Sequence, residues 1–188
     1  VLRRSFEEKA EEFADVIKMG RTENQDAVPM TLGQEFAAYA VMVNDGMRRL
    51  ERASEELLVV NMGATAIGTG LNSPRRYSAL CTRKLNEFTG LHVKVAPNLV
   101  EATQDAGDFA ELSAALKTSA IQISKICNDL RWASSGPRCG LAEINLPPLQ
   151  PGSSIMPGKV NPVIPEVVNQ ICYQIIGSDL TVSMAAEA

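Results

Sequence analysis

The feature that most constrains the fold is a set of three long stretches in which apolar residues recur at helical spacing. Two of them contain no proline, from Leu32 to about Val60 and from Asp105 to Ala133. The third starts near Pro162, because proline suits a first helical turn, and runs to the C-terminus. Proline disrupts helix interiors, so its absence over such lengths favours long helices. The sequence therefore predicts an all-α fold in which three long helices pack roughly antiparallel.

The last of these helices is apolar on more than one side. Its aliphatic residues are Val163, Ile164, Val167, Val168, Ile171, Ile175 and Ile176. A helix that is apolar on most faces is buried on most faces, and three helices alone cannot cover all of them. The chain is therefore expected to oligomerise, to belong to a larger protein, or both.

Shorter elements are predicted before the first long helix. Ser5 and Glu8 have the spacing of a capping box, which predicts a charged helix running to about Lys18. The segment from Met19 to Thr31 combines a glycine, a proline and several short polar residues. It is therefore predicted to be a loop.

The middle of the chain alternates loops with short elements. Met62 to Pro74 is predicted to be a loop, and its glycine-rich part lacks the GxGxxG and GKS/T patterns of phosphate-binding loops. A structural turn is therefore favoured there over a nucleotide site. A short helix is predicted from Arg75 to Phe88, and the alternation in Leu91 to Ala96 predicts one short strand.

Composition excludes several classes of protein. Hydrophobic residues make up 45%, charged residues 21% and the net charge is −4, so no basic surface suggests nucleic-acid binding. No apolar run is long enough to span a membrane, and the N-terminus does not resemble a signal peptide. The four cysteines form no CxxC pair and there is one histidine, so no metal site is expected. The cysteines are interpreted as reduced, mostly buried thiols of a cytoplasmic protein.

The segment GSSIMPGKVNP, from Gly152 to Pro162, is the most informative for chemistry. Its glycines and serines predict a mobile loop whose free N–H groups can hold a carboxylate or a developing oxyanion. Lys159 adds a positive charge, and Asn161 adds an amide at the start of a helix, where anions are favoured. A polar linker between two helices fits the composition equally well.

The segment GRTENQDA, from Gly20 to Ala27, gathers six polar or charged residues. Composition alone favours a solvated turn there, with Asp26 or Thr31 capping the helix that follows. A site for a polar ligand is the alternative.

Both segments resemble characteristic motifs of the fumarase/aspartase superfamily, which also includes argininosuccinate lyase and adenylosuccinate lyase. The resemblance continues through NMGATAIGTGLN, SKICNDLRWASSGPRCGLAEINLP and PEVVNQICYQIIGSDLTVSMAAEA, and so covers nearly the whole chain. DAVPMTLGQEF, GLAEINLP and IPEVVNQ are more similar to the aspartase branch than to the fumarases, which usually read closer to DATPLTLGQEF.

The resemblance implies a fold and an assembly. The fold is the central long-helix bundle of the fumarase/aspartase fold in truncated form, because family members are more than twice as long. Residues 1–188 are expected to be part of the central helical, tetramer-core domain, with the N-terminal domain and the C-terminal part absent. Family members are homotetramers whose active sites are shared between subunits. The family's first motif, rich in Ser, Thr and Asn, is missing here and with it part of the carboxylate site, so the chain by itself is expected to be inactive.

The resemblance also implies an activity. The expected reaction is elimination of ammonia from L-aspartate to give fumarate, in which a serine base removes the Cβ proton and an enediolate forms. Ser153 matches the base. No cofactor is implied, and the expected partner is a small dicarboxylate. One alternative is a fumarate hydratase of the same superfamily, and another is a non-catalytic structural protein on the same fold.

The remaining site residues follow from the same motifs. The residues expected to bind substrate are Thr22, Glu23, Ser154, Lys159 and Asn161, and the supporting residues are Gly152, Ile155, Met156 and Glu166. Backbone N–H groups of the loop are expected to stabilise the alkoxide of the base. Glu23 stands where the family usually has His or Gln, and Glu166 matches the acidic partner of that position. A carboxylate at position 23 would attract the substrate ammonium but repel a carboxylate.

Overall fold

The computed structural model describes all 188 residues and is mainly helical. Its elements are α1 (Leu2–Glu12), β1 (Ile17–Thr22), β2 (Gln25–Thr31), α2 (Leu32–Glu56), β3 (Val59–Val60), α3 (Tyr77–Thr89), β4 (Lys94–Val95), α4 (Glu101–Gln104), α5 (Gly107–Ala133) and α6 (Val163–Glu187). The only sheets are the antiparallel pair β1–β2 and the parallel pair β3–β4. The predicted all-α class, with long helices α2, α5 and α6, is therefore confirmed.

The long helices differ from the prediction at their ends. Helix α2 ends at Glu56 rather than near Val60, because Val59 and Val60 pair with β4. Helix α5 starts at Gly107 rather than Asp105. Asp105 has extended backbone, and its carboxylate accepts a hydrogen bond from the N–H of Gly107 at 3.0 Å. The side chain of Asp105 thus binds the N–H of the first helical residue, and Asp105 itself lies outside the helix.

The predicted loop from Met19 to Thr31 is wrong, because the chain forms a β-hairpin there. Strands β1 and β2 pair antiparallel from Ile17 opposite Thr31 to Thr22 opposite Gln25. Glu23 and Asn24 form the tip, with φ of 52° and 63°, the two left-handed residues that tight hairpins favour.

Gly20 and Pro29, the residues that suggested a loop, fit the hairpin. Gly20 lies at a register shift between Met19 and Arg21, and a Cβ there would lie 2.8 Å from the carbonyl oxygen of Val28. Such a bulge accommodates glycine, and a strand of a two-stranded ribbon tolerates proline.

The predicted capping box is also wrong. Helix α1 begins at Leu2, so Ser5 lies inside its first turns, and its N–H donates to the carbonyl of Val1 at 3.1 Å. The helix ends at Glu12 rather than near Lys18, since Lys18 belongs to β1.

The chain consists of two compact units, and residues 1–47 and 117–176 form the first. Its core contains Phe6, Leu32, Phe36, Tyr39, Ala40 and Ile126. The rings of Phe6, Phe36 and Tyr39 lie 5.7–6.0 Å apart, which joins α1 to α2. Tyr39 donates a hydrogen bond to Asp129 of α5 at 3.1 Å, and Gly46 lies against Ser119, so α2 and α5 are antiparallel within this unit.

Residues 48–116 and 177–188 form the second unit. The side chain of Asn86 bonds both the N–H and the carbonyl of Val93, which fixes the turn between α3 and β4. Gly68, with φ of 90°, passes so close to Val100 that a Cβ would lie 2.3 Å from its Cα. The glycine-rich loop is thus explained by close backbone approach.

All four cysteines are free. Cys127 and Cys172 are buried, Cys81 is intermediate and Cys139 is exposed, so the expectation of mostly buried thiols holds for half of them. Burial, with the neighbouring Cys172, raises the pKa of Cys127 to about 11, which keeps it a neutral thiol. None of the helices combines the length with the apolar character that a membrane span requires.

We predict that Gly33→Ala destabilises the protein. A Cβ at Gly33 would lie 2.5 Å from the carbonyl oxygen of Ala10 and 2.8 Å from the Cα of Ala14, which are backbone atoms that cannot move aside cheaply. The expected loss is about 1–3 kcal/mol, measured as a lower midpoint of thermal unfolding of the full-length protein at fixed concentration.

The matched control is Gly177→Ala in α6, where a Cβ would meet nothing within 4 Å. That change is expected to lower the midpoint less than Gly33→Ala does, since no atom of this chain opposes the added Cβ and alanine favours helix. Equal midpoints for the two variants would contradict the close packing of α1 against α2.

Candidate active site

A cavity of about 660 Å³ lies in the first unit, between the end of α5, the irregular segment that follows, and the start of α6. Its polar lining includes Asn128, Arg131, Ser134, Ser135, Asn145, Lys159, Asn161 and Glu166. Three of the predicted site residues, Lys159, Asn161 and Glu166, are therefore brought together. Positive, negative and amide groups in one cavity can bind a small molecule that carries both signs of charge.

The predicted loop is closed at its base. The N–H of Gly152 donates to the carbonyl of Lys159 at 2.8 Å, and the N–H of Lys159 donates to the carbonyl of Met156 at 3.2 Å. A Cβ at Gly152 would lie 2.6 Å from the Lys159 oxygen and 2.9 Å from Oδ1 of Asn161, so only glycine fits. Gly152 thus shapes the loop, and its N–H is not available to an alkoxide in this structure.

The serines of the loop lie outside the cavity lining. The Oγ of Ser153 accepts a hydrogen bond from the N–H of Ile155 at 3.3 Å, the one backbone donor that contacts it. Ser154, Ile155 and Met156 are exposed. In residues 1–188 no charged group contacts Ser153, so this chain alone supplies little stabilisation for a serine alkoxide.

The hairpin tip carries the other predicted residues. Thr22 and Glu23 are exposed there, and neither lines the cavity. The structure therefore does not bring them together with Lys159 and Asn161 within the cavity.

A cluster of charged side chains ties the hairpin to the cavity wall. The carboxylate of Glu143 accepts a hydrogen bond from Arg21 at 2.8 Å and forms an ion pair with Lys18 at 3.0 Å. Lys18 also contacts Glu35 of α2. Since Ala142 and Ile144 line the cavity, the hairpin and that wall are held in one arrangement.

Burial is the largest single influence on the pKa of Glu143 and by itself would raise it. The hydrogen bond from Arg21 and the ion pair with Lys18 together outweigh burial, so the pKa lies below its ordinary value. Burial would lower the pKa of Lys18, but its bonds to Glu35 and Glu143 outweigh it and raise the pKa. Both groups therefore stay charged near neutral pH.

A second polar chain lies beneath the cavity. Nη1 of Arg131 donates to Oδ1 of Asn169 at 3.2 Å. The Asn169 amide donates to the carbonyl and the hydroxyl of Ser124, at 3.1 and 2.8 Å. Sequence reasoning missed these residues, although an asparagine amid the aliphatic residues of α6 was a signal, since a buried amide needs partners.

No three side chains of His, Cys, Asp or Glu converge in residues 1–188 in a way that would hold a metal ion. The polar groups of the cavity are a lysine, an arginine, one carboxylate, amides and hydroxyls. Such a set of groups suits a charged organic molecule better than a metal cation.

Residues 1–177 match the family model described as Lyase. The chain belongs to this lyase family. It is 60% identical over 187 residues to the aspartate ammonia-lyase of Escherichia coli (strain K12), and 59% identical over 186 residues to that of Helicobacter pylori (strain ATCC 700392 / 26695). These matches cover 100% and 99% of this chain but 39% and 40% of the relatives, so the chain spans about two fifths of their length.

Solved structures of the lyase family have the same fold. A fumarate lyase:delta crystallin from Brucella melitensis bound to cobalt matches with a TM-score of 0.96 and 56% identity, over 100% of this chain and 41% of that one. The class II fumarase of Schistosoma mansoni matches with a TM-score of 0.90 and 36% identity, over 99% and 42%. The predicted resemblance to the fumarase/aspartase superfamily is confirmed.

We predict that the cluster around Glu143 stabilises the protein over a defined pH range. The depressed pKa of Glu143 gives stability that is present above its unfolded pKa of about 4.5 and is lost as pH falls below it. The raised pKa of Lys18 gives stability that is present below about pH 10.5 and is lost as pH rises through the folded pKa. Between about pH 4.5 and pH 10.5, both groups therefore make their full contribution to the free energy of unfolding.

Glu143→Gln should therefore lower the free energy of unfolding by about 2 kcal/mol at pH 7, with the difference from wild type shrinking below pH 4.5. Denaturant titrations at several pH values measure this. Glu12→Gln is the control, since its ion pair with Lys9 is exposed and should contribute little. A pH-independent difference for Glu143→Gln would contradict the assignment.

Proposed function

We propose that the full-length protein eliminates ammonia from L-aspartate to give fumarate. The observation that carries the proposal is the gathering of Lys159, Asn161 and Glu166 in one cavity at the start of α6. Identities of 58–60% to several aspartate ammonia-lyases support the same activity.

The charges of the cavity suit this substrate. L-aspartate carries two carboxylates and one ammonium group. Lys159 and Asn161 are suited to bind a carboxylate, by charge and by amide N–H respectively. The carboxylate of Glu166 in the same lining would attract the ammonium group.

Ser153 is proposed as the base. Its alkoxide takes the Cβ proton of L-aspartate, the electron pair moves toward the adjacent carboxylate as an enediolate, and the Cα–N bond then breaks to release ammonia. A serine acts as a base only if its alkoxide is stabilised. The N–H of Ile155 already contacts its oxygen, and closure of the loop over substrate would supply further donors.

We propose that residues 1–188 belong to a tetramer core and that other subunits complete each site. Ser153, Thr22 and Glu23 lie outside the cavity lining, so one chain does not assemble the whole set. Helix α6 also exposes large aliphatic side chains, with Ile164 at 53%, Ile171 at 54% and Leu180 at 67%. A homotetramer in the cytoplasm would cover them. The chain alone is expected to be inactive.

Fumarate hydratase is the second candidate, because the class II fumarase of Schistosoma mansoni shares this fold. Its identity of 36% is well below the 58–60% shared with the aspartate ammonia-lyases, which favours the ammonia-lyase. The retention of Ser153, Lys159 and Asn161 argues against a purely structural protein.

We predict that Ser153→Ala in the full-length protein lowers kcat by a factor of about 10² to 10⁴, while aspartate binding stays nearly intact. The hydroxyl acts on the Cβ proton, which matters only at the transition state. Absorbance of fumarate formed from L-aspartate gives kcat and KM.

Ser154→Ala is the matched control and should lose much less kcat. Lys159→Ala should also raise KM, because its charge holds a carboxylate in the ground state as well. A larger kcat loss for Ser154→Ala would place the base at that residue. If neither serine affects kcat, the base lies elsewhere and the assignment fails.

A further inference from the structure

The cavity contains a second positively charged side chain, to which the proposed reaction assigns no role. Arg131, in the last turn of α5, lines the cavity together with Lys159. Neither side chain forms an ion pair with a carboxylate in residues 1–188. Glu166, the carboxylate of the same lining, is likewise not ion-paired. The cavity therefore presents two cations that remain available to an anionic ligand.

Two asparagine side chains hold the guanidinium of Arg131 in place. Its Nη1 donates to the Asn169 side chain at 3.2 Å and lies 3.5 Å from Oδ1 of Asn128. These partners are neutral amides, so the positive charge of Arg131 is not neutralised. The guanidinium has five N–H donors in a planar fork, and the structure shows bonds only from Nη1.

Asn169 is the most deeply buried polar side chain of the chain, at 2% exposure. Its two donated bonds to Ser124 fix the amide, so its Oδ1 has one orientation and points to Arg131. An apolar residue would fill this place in the core without the desolvation of an amide. The buried amide is accounted for if its task is to orient Arg131.

We propose that Arg131 binds one carboxylate of a dicarboxylate substrate while Lys159 binds the other, with Asn169 as the positioning residue for Arg131. The planar fork of an arginine matches a carboxylate in bidentate fashion, which a lysine cannot reproduce. This inference rests on the proposed function and names the residue that selects for the second carboxylate.

The first test compares Arg131→Gln and Arg131→Lys with Arg4→Gln in the full-length protein. Arg4 is the control because its side chain is 81% exposed on α1. Arg131→Gln should raise KM for L-aspartate about 10- to 100-fold, the effect expected for one charge-assisted hydrogen-bonded contact. Arg131→Lys should recover only part of that loss, and kcat should change less than KM.

The second measurement is inhibition by succinate, a dicarboxylate, and by propionate, its monocarboxylate counterpart. Wild type should prefer succinate, and Arg131→Gln should lose most of that preference. A role in folding alone would weaken both inhibitors alike or lower the thermal midpoint without changing their ratio. An unchanged ratio overturns the proposal.

The positioning role of Asn169 is tested by a double-mutant cycle. Asn169→Ala should raise KM in the wild type but have little further effect on KM in the Arg131→Gln background, because its effect passes through Arg131. Additive increases in KM would show that Asn169 acts independently and would overturn that part of the proposal.

Two further comparisons separate the role of Arg131 from the activity of the protein. If Lys159→Ala raises KM and Arg131→Gln does not, the function stands and the role of Arg131 is refuted. If wild type forms no fumarate from L-aspartate, calorimetric titration with succinate decides the inference. Weaker succinate binding by Arg131→Gln supports a dicarboxylate site, and equal binding refutes it.

Discussion

The arrangement of the first unit depends on one carboxylate, that of Glu143, shared between Lys18 and Arg21. The segment that carries Glu143 has no regular secondary structure, and the N–H of Glu143 donates to the carbonyl of Ala133 at 2.9 Å. The side chain of Glu143 then connects this segment to the hairpin. Lys18 extends the same cluster to Glu35 of α2. A charge cluster with side chains only 10–27% exposed is screened little by solvent, so it can hold a hairpin, a helix and a cavity wall together.

The polar chain from Ser124 through Asn169 to Arg131 has the complementary role. It joins α5 to α6 beneath the cavity. The buried amide of Asn169 is held by Ser124 and orients the charged guanidinium of Arg131. The cavity thus lies on the ends of two rigid helices, whereas the serines lie on a loop closed only at its base. This division is compatible with the proposed reaction, in which the cavity binds the substrate and Ser153 of the loop acts as the base.

The sequence predicted the parts of the structure that depend on local patterns. Long helices follow from apolar spacing, and Lys159, Asn161 and Glu166 lie together because they are close along the chain at the start of one helix. The hairpin was missed because glycine and proline usually interrupt strands, and local sequence does not show that a bulge accommodates Gly20 or that a two-stranded ribbon tolerates Pro29. The contacts of Glu143 and Asn169 span 122 and 38 residues respectively, and no local pattern specifies such pairs.

Running the proposed reaction backward distinguishes elimination of ammonia from hydration at this site. The full-length protein is incubated with fumarate, with and without ¹⁵N-ammonium, and the products are identified by NMR. We expect ¹⁵N-labelled aspartate that forms only when ammonium is present, with little malate in either sample. Malate formed at a comparable rate without ammonium, and no labelled aspartate, would refute an ammonia-lyase and identify a hydratase.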